Sequence, residues 1–507
     1  LIQLKASTEL FDLIKSMSRS EIVSFKIACG ADKQIYLQLF DAICEQTVYN
    51  EAALKKLLYK ELKTAKFAVL KKYLFDRLDK FLSARYDEQD AYFIMMKHYK
   101  MAQIYYDRQL LDLCKKELQK AEMLAESNHC YAEQLLIYKL KEKLIRGLQT
   151  PADFEKLHNE FMLKESHAFS LYSNLSNYKH LDSEFVIALN KLNNISSDAA
   201  LNEIKRIWDY PLLSDENNAH SLLAKYFFYT IKASCANLLG KLEEGLIYRE
   251  KCVQLLSQNS FEGADYNRLY IVSTHNYLKN LCTLKMWEKF RLAFNQMEQF
   301  IQLKYDGIDQ RSRMFLFAII IFNKPDEIIL SGNNSDFKAY LKFFESEMKI
   351  HINSLDPSYV AFLHVSVIYN CIRFAIPEKA LDLINRMNAL GLDKKLDKLY
   401  NKVFRLFVLM VHFDLKNYRL LRNLAEAHLR YLQRNGKPTR FEKSLTRFFH
   451  GISFDKDALI QLHGELTEIQ HHNEEKFQFE YIQILSWIEH HITGQPFATI
   501  LRKHQIG

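Results

Sequence analysis

Segments with one helical pattern recur along the chain at intervals close to multiples of about 44 residues. The clearest copy is "GKLEEGLIYREKCVQLL" at 240–256, in which small residues at Gly245 and Cys252 stand among large apolar ones. If Leu242 marks the start of this copy, similar starts occur at Leu110, Trp287, Pro377 and Tyr418. Successive markers are 132, 45, 90 and 41 residues apart. A unit of this length predicts two helices of about 18 residues joined by short turns.

Weaker copies lie in the gaps, around Phe154, Ala199 and Phe337. Turn-forming segments separate the units: "GLQTPAD" at 147–153, "NNISSD" at 193–198, "SGNNSD" at 331–336 and "RNGKPT" at 434–439. Elsewhere turn residues are scarce, since the 507 residues include only 13 Gly and 7 Pro. Tight βαβ connections and many short strands would need more of both. The sequence therefore predicts an all-α fold.

The copy at 240–256 resembles the second half of a tetratricopeptide (TPR) repeat. The resemblance rests on Gly240, Leu242, Glu243, Glu244, Gly245, Leu246, Tyr248, Lys251, Cys252 and Leu255. Ala380 matches the first small position in another copy, whereas Lys232 and Ala236 replace the Leu and Tyr of the family's first helix. The period is longer than the family's 34 residues or so, which implies longer helices.

The resemblance implies a right-handed α-solenoid of TPR-like helix pairs with a small helical N-terminal region; an irregular helical bundle is the alternative. We expect a basic helical N-terminal region at 1–90, TPR-like repeats at 91–450 and capping helices at 451–507. The implied function is a non-enzymatic scaffold or adaptor that binds a peptide or helical partner in a concave groove. Carried over from the family, the groove positions are His98, Tyr105, Thr230, Asn237, His275, Lys279, Tyr369 and Arg373. A one-residue error rotates a position by about 100°, so some of them could instead lie in the core.

The segment from residue 55 to residue 85 is strongly basic, with ten Lys or Arg against three acidic residues. One hypothesis is a polyanion-binding surface, which would make the protein a nucleic-acid-associated regulator. Its residues would be Lys60, Lys63, Lys66, Lys71 and Lys72. The other interpretation is the solvated face of an amphipathic helix. No DNA- or RNA-binding motif accompanies the charge.

Eight scattered cysteines without a CxxC pair are typical of reduced thiols in a cytosol-like compartment. No signal-peptide pattern is found, and the longest uninterrupted apolar run, 314–322, is shorter than the roughly 20 residues that span a bilayer. We therefore predict a cytoplasmic protein without a membrane span.

No nucleotide-binding, hydrolase or kinase motif is present, so the sequence assigns neither catalytic residues nor a cofactor. An unrecognised enzyme is the second alternative function. Paired histidines near the C-terminal end could approach a metal ion if their helices were antiparallel: His471, His472, His490 and His491. Because adjacent residues point in different directions from a helix, we interpret them as surface residues and predict no metal site.

Overall fold

The computed structural model describes residues 8–30, 34–46, 49–58, 67–148, 151–194, 198–258, 264–304, 310–352, 355–435, 438–470 and 482–506. Within these segments the chain is helical and contains no strand. It divides into two compact units. Unit 1 contains the described residues up to Asn280 together with Gln310, and unit 2 contains the others. This division falls inside the predicted repeat region, and the boundaries expected near 90 and 450 stay predictions.

Unit 1 begins with five helices of the N-terminal region: α1 (Glu9–Ser16), α2 (Arg19–Cys29), α3 (Ile35–Glu45), α4 (Glu51–Leu57) and α5 (Phe67–Gln89). Eight more follow: α6 (Ala91–Asp107), α7 (Leu111–Ser127), α8 (Tyr131–Leu148), α9 (Pro151–Asn194), α10 (Asp198–Trp208), α11 (Leu222–Leu238), α12 (Leu242–Gln258) and α13 (Ala264–Thr283). The last residues of α13 already belong to unit 2.

Unit 2 continues with α14 (Trp287–Lys304), α15 (Gln310–Ser331), α16 (Asp336–His351), α17 (Pro357–Arg373), α18 (Pro377–Ala389) and α19 (Lys398–Asp414). It ends with α20 (Tyr418–Arg434), α21 (Arg440–His450), α22 (Lys456–Ile469), α23 (Ile484–Thr493) and α24 (Phe497–Ile506). None of the helices in the described part of the chain combines the length and the apolar character needed to cross a membrane.

Helices that follow each other in sequence pack against each other in both units, for example α6 with α7, α11 with α12 and α17 with α18. The turns within these pairs are too short for anything but an antiparallel arrangement. Each pair buries apolar side chains, and the core of each unit lies between successive helices. The prediction of an all-α array of helix pairs is confirmed.

One turn recurs between six pairs of consecutive helices. The second residue after the first helix adopts a left-handed conformation, with φ between 53° and 77°: Gln109, His129, Gly240, Lys285, Ala375 and Lys416. The next backbone N–H then donates to a carbonyl five residues earlier, as from Lys241 to Ala236 and from Ile376 to Cys371. This pattern is a Schellman cap, in which glycine is favoured because it lacks a Cβ. Only one of the six copies has glycine, so the turn is hard to recognise in the sequence.

The second helix of each such pair begins two residues after the left-handed residue. Four predicted markers are the first residues of helices, namely Leu242, Trp287, Pro377 and Tyr418. The fifth marker, Leu110, is one residue early, because it caps α7 and the helix starts at Leu111. Four of the five markers therefore coincide with helix starts and the fifth is one residue early, while the repeat period itself stays a prediction.

The weak copy expected around Phe154 is not a separate helix start. Phe154 lies inside α9, a single helix of 44 residues, which spans about 66 Å at 1.5 Å per residue. After Pro151 this helix contains neither Gly nor Pro, so nothing in its sequence interrupts it. The regular alternation of short helices is thus broken in unit 1.

Candidate functional site

The basic surface expected at the N-terminal region is smaller than predicted. Lys71 on α5 is only 8% exposed, and its Nζ lies 2.8 Å from Glu51 Oε2 on α4. Because a polyanion cannot reach this ammonium group, the assignment of Lys71 to an exposed surface is wrong. Lys72 is exposed. Three further predicted lysines lie outside the described residues: Lys60, Lys63 and Lys66.

Two of the predicted groove residues, His98 and Tyr105, lie on α6 beside an open depression formed with α7. His98 Nδ1 is 2.5 Å from Glu117 Oε2, and Lys120 Nζ is 2.8 Å from Glu117 Oε1. Burial acts to raise the pKa of Glu117, but hydrogen bonds from Lys120 and His98 outweigh it, so the pKa is lowered. The depression has a volume of about 440 Å³ and is lined by Tyr105, Leu113, Lys116, Glu117, Gln119, Lys120 and Met123.

A second cavity, of about 340 Å³, lies between α7, α8 and α9. Glu122, which is almost fully buried, accepts hydrogen bonds from Lys141 and, at 2.9 Å, from Lys164. The cavity has an apolar floor and a charged rim. Its lining is Lys115, Leu118, Gln119, Glu122, Tyr138, Lys141, Leu144, Ile145, Leu157, Glu160, Phe161 and Lys164.

Gln119 lines both cavities, so they adjoin across α7. We call the α7 residues that separate and border them the α7 surface: Leu113, Lys115, Lys116, Gln119, Lys120 and Met123. Leu113 and Met123 are 43% and 64% exposed. Lys115 and Lys116 form no ion pair with any residue that the structure describes. The α7 surface therefore combines exposed apolar side chains with unneutralised positive charge.

A third feature of unit 1 is the close approach of α11 and α12. A Cβ atom at Gly245 would collide with Asn237 Oδ1 and would lie 3.2 Å from the carbonyl oxygen of Ala233. Glycine is therefore favoured at this position by packing rather than by its backbone conformation, because a larger residue would displace the Asn237 amide. The small position singled out in the sequence therefore lies where two helices approach closely.

The same stripe of α12 continues through Arg249 and Cys252. Arg249 Nη2 donates to Ser234 Oγ on α11 at 2.7 Å, and Cys252 Sγ lies 3.8 Å from Thr230 Oγ1. The spacing of four and then three residues places these side chains on one face of α12.

Helix α13 contacts the same place from the other side. The amides of Asn237 and Asn280 exchange two hydrogen bonds, of 2.8 and 2.9 Å. Ser273 Oγ lies 3.5 Å from Cys252 Sγ. Thr230 and Asn237 therefore lie where three helices meet and contact side chains of the neighbouring helices, rather than lining an exposed groove.

Two further predicted groove residues, His275 and Lys279, also lie on α13. Lys279 is exposed and His275 is partly buried. Burial lowers the pKa of His275 to about 4, and the positive charges of Lys279 and Arg249 add to the effect. His275 is thus neutral at pH 7. We call the group of Thr230, Ser234, Asn237, Arg249, Cys252, Ser273, His275 and Lys279 the α11–α13 junction.

In unit 2 the predicted groove residues Tyr369 and Arg373 contact other residues of the same unit. Arg373 is 4% exposed, forms an ion pair with Asp326 and donates to Asn370 Oδ1 at 3.1 Å. Tyr369 donates to the carbonyl oxygen of Ile482 at 2.8 Å. The assignment of Arg373 to a groove is wrong, because the side chain is buried between helices.

The C-terminal histidines take part in local contacts. His491 Nε2 is 2.9 Å from Asp414 Oδ1, and Trp487 Nε1 donates to the same oxygen at 3.2 Å. His490 lies beside the carbonyl oxygen of Gln495. The described residues contain no group of His, Cys, Asp and Glu that could hold a metal ion. His471 and His472 lie outside the described residues.

Sequence reasoning missed Arg249. A signal was present, because an arginine stands at the helical spacing between the two small residues Gly245 and Cys252. Such a position faces a neighbouring helix, so the sequence could have indicated a buried guanidinium.

No protein-family model matches the sequence, and no curated protein matches it. Among solved structures the chain is similar to one titled "Crystal Structure of P58(IPK) TPR Domain at 2.5 A", with 13% identity and a TM-score of 0.20. The match covers 83% of this chain and 98% of that chain. A superposition with so low a TM-score carries no argument about sites, and the fold described above rests on the helix pairs and their turns.

Proposed function

We propose that the protein is an interaction scaffold whose α7 surface binds an acidic, amphipathic segment of a partner protein. The observation that carries the proposal is the pair of adjoining cavities on the two sides of α7, which share Gln119. A partner helix or extended peptide lying across α7 would contact both of them. Such segments are recognised by apolar anchors that enter depressions on a helical surface.

Apolar recognition is supported by the cavity between α7, α8 and α9. Its floor includes Leu118, Tyr138 and Phe161, and its volume of about 340 Å³ lies at the small end of the range for ligand pockets. Leu113 and Met123 add exposed apolar area beside it. An anchor side chain buried here would supply most of the affinity.

The acidic character of the partner follows from the charges. Glu117 and Glu122 are each contacted by two basic groups of unit 1. Lys115 and Lys116 form no ion pair with a described residue, so their charge is available to a partner. Opposite charges at the rim of an interface increase the association rate and select among partners.

The test is affinity capture with the full chain as bait, in an extract of the native cells, followed by quantitative mass spectrometry. The charge reversal K115E/K116E should reduce recovery of the partner about tenfold, which corresponds to about 1.4 kcal/mol. The matched control is K394E/K395E, which reverses two adjacent exposed lysines in unit 2.

A captured partner should contain a segment with acidic and apolar residues at helical or alternating spacing, and a synthetic peptide of that segment should compete for binding. If K115E/K116E and K394E/K395E recover the same proteins in the same amounts as the wild-type chain, the α7 surface is not the binding site. A peptide that binds equally well after its acidic residues are replaced by Gln would refute the charge argument.

A further inference from the structure

Arg249 is a buried cation at the centre of the α11–α13 junction. The residue is 7% exposed. Its Nη2 donates to Ser234 Oγ at 2.7 Å, while its buried Nε forms no hydrogen bond within the described part of the chain. A guanidinium group buried in this way normally has a carboxylate partner, because an isolated buried charge is strongly unfavourable.

No described side chain supplies the missing negative charge. No carboxylate of the described residues forms a hydrogen bond or an ion pair with Arg249. Burial raises the pKa of the Cys252 thiol, and burial raises the pKa of Tyr226 to about 12. Both groups are therefore neutral at pH 7. Burial also lowers the pKa of Arg249 itself, but a guanidinium group stays protonated at pH 7. Arg249 is therefore charged, and these neighbours supply no counterion.

One hydroxyl group contacts Arg249, and two others contact Cys252, three residues further along α12. Ser234 accepts a hydrogen bond from Arg249 and retains its own proton for donation. Thr230 and Ser273 lie on the two neighbouring helices, each within 3.8 Å of Cys252 Sγ. A guanidinium group with a hydroxyl donor beside it suits an oxygen anion.

The junction is not closed to solvent. Thr230, Ser234 and His275 are partly exposed, and Lys279 is exposed on α13. Lys279 is close enough for its positive charge to act on the pKa of His275.

We propose that the α11–α13 junction binds a small free oxyanion, a phosphate or a simple carboxylate, through the guanidinium group of Arg249. The anion accepts from Nε, which otherwise has no acceptor, and from the Ser234 hydroxyl. The site is independent of the α7 surface and of the partner proposed for it.

The experiment uses the full chain and measures the melting temperature by differential scanning fluorimetry at pH 7. Sodium phosphate, sulfate and acetate are compared with sodium chloride at equal ionic strength, so that general screening is constant. An anion that binds the folded chain raises the melting temperature in proportion to ln(1 + [L]/Kd), and a shift of a few degrees is expected at about tenfold excess over Kd. The anion with the largest effect identifies the preferred class.

The decisive variant is R249M, which replaces the buried charge by an apolar side chain of similar length. It should lose the response to the anion, and its melting temperature in chloride should be equal to or higher than that of the wild type. The matched control is R373M, which removes a buried arginine that does have a carboxylate partner. R373M should melt at a lower temperature than the wild type and retain the response to the anion.

Two outcomes would overturn the proposal. The first is a wild-type melting temperature that none of the three anions raises above its value in chloride. The second is an R249M chain that responds to the anion as the wild type does. If R249M does not fold, S234A and R249K replace it, and equilibrium dialysis with radiolabelled phosphate should then show binding to the wild type that is at least threefold weaker in both variants. Equal binding by all three chains would refute the role of Arg249.

Discussion

Gly245→Ala tests the packing of α11 against α12, and we expect it to destabilise unit 1 although it replaces glycine within a helix. On a solvent-exposed helix the same change stabilises by about 1 kcal/mol. Here the new Cβ would occupy the position of Asn237 Oδ1 and would lie 3.2 Å from the Ala233 carbonyl oxygen. The Asn237 amide must move, and it would then lose both hydrogen bonds to Asn280.

The magnitude follows from these terms. Two partly buried amide hydrogen bonds contribute about 1 kcal/mol each, and leaving the Asn280 amide unsatisfied adds to the loss. Tight contact with the Ala233 carbonyl oxygen lowers the free energy of unfolding by a further fraction of about 1 kcal/mol. After the gain in helix propensity is subtracted, the free energy of unfolding of unit 1 should fall by about 1–2 kcal/mol.

A double-mutant cycle isolates the contact. Without the Asn237 side chain there is nothing for the new Cβ to displace, so Gly245→Ala should stabilise the Asn237→Ala chain by about 0.5 kcal/mol. The assay is hydrogen exchange with mass spectrometry across a urea series, read from peptides of α11 and α12 and, as a control, of α19 and α20. If Gly245→Ala stabilises the wild-type chain, or if it has the same effect in both backgrounds, the reasoning is refuted.

Three further predictions concern unit 2. Ala375→Gly should raise the free energy of unfolding by about 0.5–1 kcal/mol, because Ala375 has a φ of 53° that glycine adopts without strain; a lower melting temperature would contradict this. Burial lowers the pKa of His428 to about 4 from an ordinary value of 6.5. The contribution of neutral His428 to the free energy of unfolding is therefore complete above pH 6.5 and is lost as the pH falls toward 4. The loss should reach about 3 kcal/mol, and His428→Gln should flatten the corresponding part of a plot of unfolding free energy against pH. Arg373→Met should cost about 3 kcal/mol, because it leaves Asp326 without its ion-pair partner, and Asp326→Asn in the same chain should recover part of that loss in urea unfolding.

The start of the second helix in a pair could be predicted because several weak signals coincide there. Trp287, Pro377 and Tyr418 stand at corresponding places before an apolar stripe, and each of them is the first residue of a helix. Helix capping was also readable: Ser18 begins α2 with a capping box completed by Glu21. These signals are local, so a single sequence contains them.

The continuous helix α9 could not be predicted from a repeat period, because a period reports what recurs and not what interrupts it. The turns between the helices could not be predicted either, because most of them lack the glycine that favours a left-handed conformation. Lys285, Ala375 and Lys416 adopt the left-handed conformation without glycine, and the surrounding helix pair stabilises what the local sequence does not favour. Tertiary packing therefore decides the conformation at these turns.

The groove assignment failed in part because it assumed that polar residues at corresponding positions of the first helices face solvent. In the α11–α13 junction, small residues on α12 let α11 approach closely, so Thr230 and Asn237 lie opposite Cys252 and Gly245. At that distance a polar side chain must find its partner on a neighbouring helix, as Asn237 does with Asn280. Arg249 has the same position between helices but no carboxylate among the described residues. The close approach of these helices brings the predicted groove residues into the packing between them. It also buries Arg249, whose charge has no carboxylate partner among the described residues.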